Sequence, residues 1–429
     1  MKYENISETV EGQLDNDTER ATVQPWASLR YRDYSWLFIT SLFVTSAQQM
    51  RMTQNLYQVY ELSGSAFQLG LTGLAQGIPL FGFGLFAGTL ADFIDRRKLL
   101  LLTTAGNLLI AVTLGVLTLT GMIRVWHILV GTALTSAVNI ILNPTRMAMI
   151  SRLVPRSHLT NAVSLNSSVS QSAFFFGPML GGLSIAWLTT GHAYLFNALF
   201  YLPAAAGILS IKTSGAPDGR RGTFSMASIL GGVRFLFSRP ILVALVLLDF
   251  VVTGVGYYRP LLPIFARDIL HVGPAGFGTL SSAPAIGGIA GTVLLLVIGD
   301  LERKGLLVLW SLLFYAVAVG CLALSTNFWL SLSLLGFLGL ANSLQAVMRQ
   351  TTFHLLTPDH LRGRAFSVFN MFSQGANSVG ATEVGFVAAL IGAPGSMLFG
   401  CAVGVILTVG CWAAMPGLRR FGTDQTRSV

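Results

Sequence analysis

Residues 88–98 read Gly88-Thr-Leu-Ala-Asp92-Phe-Ile-Asp95-Arg96-Arg97-Lys98, a charged connector between two long apolar runs, 66–90 and 99–120. An apolar run of about 20 residues, wound as a helix, crosses the roughly 30 Å hydrocarbon core of a bilayer. The basic trio at 96–98 marks where the chain leaves lipid. The same alternation recurs outward in both directions. Further runs fall at 36–58, 125–150, 162–187 and 193–210, and a second set at 241–263, 275–298, 306–326, 329–353, 365–390 and 397–415. In lipid the backbone must satisfy its own polar groups, and continuous runs of this length do so as helices rather than as alternating barrel strands. The pattern predicts an all-α membrane protein of about twelve transmembrane helices.

Composition agrees. The chain has 429 residues, 53% hydrophobic and 10% charged, against about 25% charged in soluble domains, and its mean hydropathy is +0.66. The net charge of +9 sits in short connectors, so it reads as topology and not as nucleic-acid binding. Arg20, Arg30, Arg32, Arg96, Arg97, Lys98, Arg152, Arg156, Lys212, Arg220, Arg221, Arg303, Lys304, Arg362, Arg364, Arg419 and Arg420 all fall on one side. The other side holds little beyond Arg124 and Arg267. The positive-inside rule therefore predicts a multi-pass protein of the bacterial inner (plasma) membrane with both termini cytoplasmic. The three cysteines, Cys321, Cys401 and Cys411, and the six histidines form no ligand spacing. No metal or cofactor is expected, and the chain is expected to work as a monomer.

The organisation reads as a disordered cytoplasmic tail at 1–30, a six-helix half at 31–210, a cytoplasmic linker at 211–240, a second six-helix half at 241–415 and a tail at 416–429. The halves repeat with an offset of 203: Gly88 meets Gly291, Asn139 meets Asn342, Arg146 meets Arg349, Gly177 meets Gly380 and Gly182 meets Gly385. That register predicts two pseudo-symmetric halves with a pathway between them. On a 100° helical wheel, polar stripes gather Gln48, Arg51, Asn55 and Gln58; Asn139, Asn143 and Arg146; Asp249 and Tyr257; Asn342, Gln345 and Arg349; and Gln374 and Asn377. Polar groups in lipid face an interior or a cavity, so Gln48, Asn55, Asn139, Tyr257, Asn342, Gln345, Gln374 and Asn377 are expected to line a shared cavity. Arg51 and Asp249 lie deep in their spans and read either as a buried ion pair or as a proton-coupled switch. Glu383 is the other intramembrane acid, turned roughly 140° from the stripe on its helix. It is a candidate proton carrier.

The 88–98 connector resembles the loop signature of the major facilitator superfamily, G-x-L-A-D-[RK]-x-G-[RK]-[RK]. Gly88, Leu90, Ala91, Asp92, Arg96 and Arg97 match it, while Phe93 and Asp95 depart from it. The resemblance implies the twelve-helix fold of that family and a cytoplasmic gate built on Gly88, Asp92, Arg96 and Arg97, with Asp92 capping the next helix or pairing with Arg across the halves. Gly177-Pro178-Met-Leu-Gly181-Gly182 resembles the G-P-x-x-G-G motif of the family's drug/proton antiporters. The Asp before the basic pair, and the stretch 59–76, look like the branch of enterobactin-type siderophore exporters and macrolide efflux proteins. Two departures stand out: the first helix carries Arg51 where many antiporters have an acid, and Arg146 lies near a helix end. An arginine in the pathway suits anionic or catecholate-like substrates. The function expected is secondary-active, proton-coupled efflux of a small organic molecule, a siderophore or an amphiphilic drug, with protons and the bilayer as the other partners. No G-x-x-x-x-G-K-[ST] phosphate loop is present to support ATP hydrolysis. The alternatives are a lipid or lysolipid transporter or facilitator of the same fold and, in another class, a non-transporting membrane sensor or an enzyme.

Overall fold

A computed structural model describes residues 26–216, 234, 236–238, 242–243, 246–247, 250, 254, 256–299, 304–357 and 359–414. The side chains of 85–93, 304, 354–356, 359–367 and 414 are also outside the description. The described residues are helical throughout, with no strand among them. The helices are α1 (Arg32–Ser63), α2 (Ala66–Phe93), α3 (Arg96–Leu119), α4 (Val125–Leu153) and α5 (Arg156–Leu188), then α6 (Thr190–Ser210). Turns at 259–269 lead into α7 (Gly273–Ile298), followed by α8 (Lys304–Leu324), α9 (Phe328–Leu356) and α10 (Asp359–Ala414). Seven stretches are long and apolar enough to cross a membrane, in α3, α4, α6, α7, α8, α9 and α10. Leu296, Val297 and Trp187 stand 78–79% exposed; large apolar side chains bare to this degree are at home in lipid.

Local chemistry explains the breaks. Gly64 ends α1 in the left-handed region at φ +58°, its N–H returning to the Tyr60 carbonyl, a backbone that favours glycine. Gly392, at φ 79° and ψ 163°, breaks α10 just before Pro394, so the two runs expected at 365–390 and 397–415 meet at a sharp corner. The expected 241–263 span lies largely outside the described residues, as do 1–25, 217–233 and 415–429. The last residues of the expected disordered tail are a correction. Ala27–Arg30 forms a 3-10 turn with Ala27 and Ser28 buried, and Ser28 is held by Asn161 Oδ1 at 3.0 Å and the His158 carbonyl at 3.1 Å.

Among the described residues, α1 packs on α5 and α6, α2 on α4, and α3 on α4 and α6. Further along, α7 packs on α9, and α8 on α9 and α10. The segments expected as halves, 31–210 and 241–415, meet chiefly where α2 crosses α10 and where α5 crosses α7. Both depend on missing side chains. A methyl group added to Gly182 would lie 2.6 Å from Gly278 Cα, and one added to Gly70 would lie 3.0 Å from Gly385 Cα. Backbones approach this closely in membranes where glycine permits it. Both crossings lie toward the Ser63–Ala66 end of the bundle, away from the basic connectors.

Candidate functional site

A pocket lies at the α5–α7 crossing. Gln49, Met52, Thr53 and Leu56 of α1 and Pro178 of α5 line it from one half. Tyr258, Arg259, Leu262, Ser281 and Pro284 line it from the other. The α1 wall is therefore the 49/52/53/56 face, one position round from the polar stripe singled out in the sequence.

That stripe turns into its own half. Gln48 Nε2 donates to Asn139 Oδ1 at 2.6 Å. Asn55 Nδ2 donates to Thr132 Oγ1 at 3.0 Å, and its Oδ1 accepts from the Tyr194 hydroxyl at 2.9 Å. Gln54 reaches Ser184 and the Ala193 carbonyl, and Gln58 reaches Thr118. Arg51 is 1% exposed. It donates to the Asn107 carbonyl at 2.8 Å and to Asn107 Oδ1, and its guanidinium lies 5.6 Å from the Tyr201 ring centroid. Among the described residues no carboxylate pairs with it. Asp249 itself lies outside the described residues. The shared-cavity expectation is thus corrected for Asn55, which is sealed among α1, α4 and α6. Gln48 and Asn139 bond to each other and stay half-buried. The physical reason is that an amide in lipid gains most from a fixed partner on the neighbouring helix.

The second half differs. Asn342 and Gln374 are exposed, and Tyr257 and Asn377 half-buried. Gln345 is 2% exposed, and its amide nitrogen has no partner among the described residues. Glu383 is half-buried on α10, with one carboxyl oxygen, Oε2, buried and without a partner among the described residues. It sits two residues from Gly385, at the α2 crossing.

The two motifs divide their work. In 177–182, a methyl on Gly177 would meet Gln49 Cβ at 2.5 Å and one on Gly181 would meet the Met50 carbonyl at 2.9 Å, so both glycines seat α5 on α1. Pro178 faces the pocket and Gly182 makes the crossing. In the connector, Asp92 falls inside α2, which runs to Phe93. Asp95 stands at the N-cap of α3: its carboxylate accepts from Arg97 N at 2.9 Å and Lys98 N at 3.1 Å. The residue that departs from the signature takes the cap because it alone stands at the position before the first turn. The side chains of Gly88's neighbours through Phe93 lie outside the description. Arg96 is buried and its N–H reaches the Gly215 carbonyl. Arg97 donates to the carbonyls of Ile208 and Leu209, closing the end of α6 within the same half.

Sequence reading missed the closure at the opposite end. The Tyr60 hydroxyl of α1 donates to the Asp268 carboxylate, and the Arg267 guanidinium lies 5.9 Å from the Tyr60 ring centroid. Tyr57 and Phe277 meet across the halves with ring centroids 5.9 Å apart. The one available signal was Arg267, a rare cation on the sparsely charged side. The Arg259 guanidinium lies 5.8 Å from the Phe174 ring of α5 and stands among Tyr257, Tyr258 and Tyr315. No cluster of metal-ligating side chains occurs among the described residues.

Comparison with known proteins matches residues 23–425 to the family profile described as transmembrane secretion effector. The multidrug efflux pump Tap of Mycolicibacterium fortuitum is 26% identical over 346 residues, covering 76% of this chain and 82% of that protein. The enterobactin exporter EntS of Shigella boydii serotype 18 is 26% identical over 344 residues, covering 78% and 80%. A crystal structure of the nucleoside transporter NupG superposes with a TM-score of 0.71 at 13% identity, covering 90% of this chain and 99% of that one. The helices, the glycine crossings and the family match agree, and the chain belongs to the transmembrane secretion effector family of the major facilitator superfamily of membrane transporters.

Proposed function

We propose that this protein is a secondary-active exporter that uses the proton gradient to move a small organic molecule, a siderophore or an amphiphilic drug. It works by alternating access between two six-helix halves, with the basic connectors and both termini in the cytoplasm. The observation that carries the reading is the pocket shared by α1, α5, α7 and the 258–262 segment, with Tyr60 and Asp268 joining the halves beyond it. A pocket whose walls belong to two bodies changes its opening when the bodies rock. In this reading the structure is the form closed to the outside. The names of Tap and EntS support export.

Glu383 is the proton-carrying group in this scheme. Its unpartnered oxygen lies on the helix that crosses α2, and a carboxyl without a fixed cation can change its charge as the surrounding helices separate. The test is uptake into proteoliposomes under an imposed pH gradient, with enterobactin and ethidium as trial substrates. Wild type should accumulate at least one of them. Glu383→Gln should keep exchange of labelled for unlabelled substrate while gradient-driven accumulation falls by roughly tenfold or more, and Asp249→Asn is compared alongside. If the gradient leaves wild-type transport unchanged, proton coupling is excluded.

A further inference from the structure

We infer that the pocket between the halves is an anion-binding subsite anchored by Arg259, suited to a carboxylate or phenolate carried on an aromatic ring. The inference rests on the transporter reading and names the chemistry of the group that the site takes.

Arg51, Arg146 and Arg259 have no carboxylate partner among the described residues, and they differ in what their donors face. Arg51 is 1% exposed and spends its donors on Asn107. Arg146 spends its donors on Thr45 Oγ1 at 3.0 Å and Asn143 Oδ1 at 3.2 Å. Arg259 is half-buried and lines the pocket. Its polar surroundings are the hydroxyls of Tyr257, Tyr258 and Tyr315, with Tyr258 as a hydrogen-bond partner, and no described carboxylate is beside it. The only ion pair with both partners among the described residues is Arg267 with Asp268, at 4.0 Å. A guanidinium keeps its proton, so the charge cannot be shed. A cation withdrawn from water without a counter-ion is costly, and a ligand that brings an anion removes that cost.

The chemistry of the lining suits the same ligand. The planar fork of Arg259 matches a carboxylate through two parallel hydrogen bonds. Tyr258 in the lining supplies a face for a ring. From the other half, Gln49 brings an amide to the same space. An anion held by Arg259 and Gln49 therefore bridges the two bodies, so its binding is sensitive to their relative position.

The test uses the full chain in lipid nanodiscs, with salicylate as the anionic probe and salicylamide as its neutral counterpart of the same shape. Wild type should bind salicylate about tenfold or more tightly than salicylamide by calorimetry, in line with the discrimination of a charge-matched site. Arg259→Gln should abolish the preference, and Arg259→Lys should keep only part of it because the bidentate geometry is lost. Gln49→Leu keeps the cation and should weaken salicylate by several-fold. It serves as the deciding variant if Arg259→Gln does not fold. Arg124→Gln, remote from the pocket, should bind as wild type does. Equal binding of the two probes by wild type, or an undiminished preference in Arg259→Gln, overturns the subsite. Gradient-driven ethidium transport separates the two readings. If wild type moves ethidium but shows no anion preference, the subsite alone fails. If anion preference is present without any transport, the subsite stands and the exporter reading fails.

Discussion

The two halves repeat in sequence, yet some of their repeat-related polar residues are placed differently. Asn139 is bonded to Gln48 at 2.6 Å, while its repeat partner Asn342 is exposed. In the first half the amide nitrogens of Gln48, Gln54, Asn55, Gln58, Asn107 and Asn197 all find acceptors. Among the described residues, buried side-chain atoms without a partner occur in both: Gln54 Oε1, Gln58 Oε1 and Asn197 Oδ1 in the first, Gln345 Nε2 and Glu383 Oε2 in the second. In the second, Thr292 and Ser343 join two helices by their hydroxyls at 2.9 Å. The glycines behave symmetrically: Gly182 crosses to Gly278 and its repeat partner Gly385 crosses to Gly70. The repeat has kept the backbone approach and let the polar chemistry diverge. In the first half the amide nitrogens are tied to neighbouring groups; in the second the corresponding Asn342 is exposed and Gln345 Nε2 has no partner among the described residues.

The strongest test of that contrast is stability. Asn107→Ala removes Oδ1, one of the two acceptors of Arg51, and leaves the backbone carbonyl. A hydrogen bond to a charged group contributes about 1.5–3 kcal/mol, above the average of about 0.6 kcal/mol for an interhelical hydrogen bond in a membrane. Asn107→Ala should therefore sharply lower the yield and melting temperature of folded protein by fluorescence-detected size-exclusion. Gln345→Leu removes a donor that has no acceptor and should cost under about 1 kcal/mol. If Gln345→Leu proves the more damaging, the second half is the tied one and the comparison is reversed.

Next comes the symmetric part. A side chain at Gly385 meets the backbone of Gly70 and the Ala66 carbonyl at 2.8 Å, and neither can swing away. Gly385→Val should reduce transport by roughly tenfold or more, as an interface with two discrete arrangements loses one of them, while folded yield falls less. Gly336→Ala is the control, since nothing lies within 4 Å of the added methyl. Equal transport by the two variants would show that the α2–α10 crossing is not part of the moving interface.

Much of the fold was legible because a run of apolar residues states its length directly. The run at 99–120 becomes Arg96–Leu119, and the run at 125–150 becomes Val125–Leu153. The site was less legible. A helical wheel finds a polar face but not what that face meets. On α1 the polar face turned inward to α3, α4 and α6, and the pocket wall was the plainer 49/52/53/56 face. The cap at Asp95 was masked by a family pattern that expects another residue there. The contact between Tyr60 and Asp268 joins residues 208 apart, a separation at which local pattern carries no information.

The smallest effect tests whether the first half is tied at its rim as well as in its middle. The Asp33 carboxylate, at the basic end of α1, accepts from Thr213 N at 2.8 Å, Thr213 Oγ1 at 2.5 Å and Lys212 N at 3.1 Å. Partial burial pushes its pKa up, but the hydrogen bonds from Thr213 and Lys212, with Arg32 nearby, outweigh this and hold it below the usual carboxylate value. A carboxyl depressed in the folded state contributes stability above its unfolded pKa and loses it as pH falls through the folded one. The melting temperature of wild type should thus exceed that of Asp33→Asn by a small margin at pH 7. The margin should begin to shrink near the unfolded aspartate value of about 4 and be gone below the folded one. A margin that is constant with pH would mean that the charge of Asp33 does not hold the 212–213 segment, and that the tying of the first half stops at its buried amides.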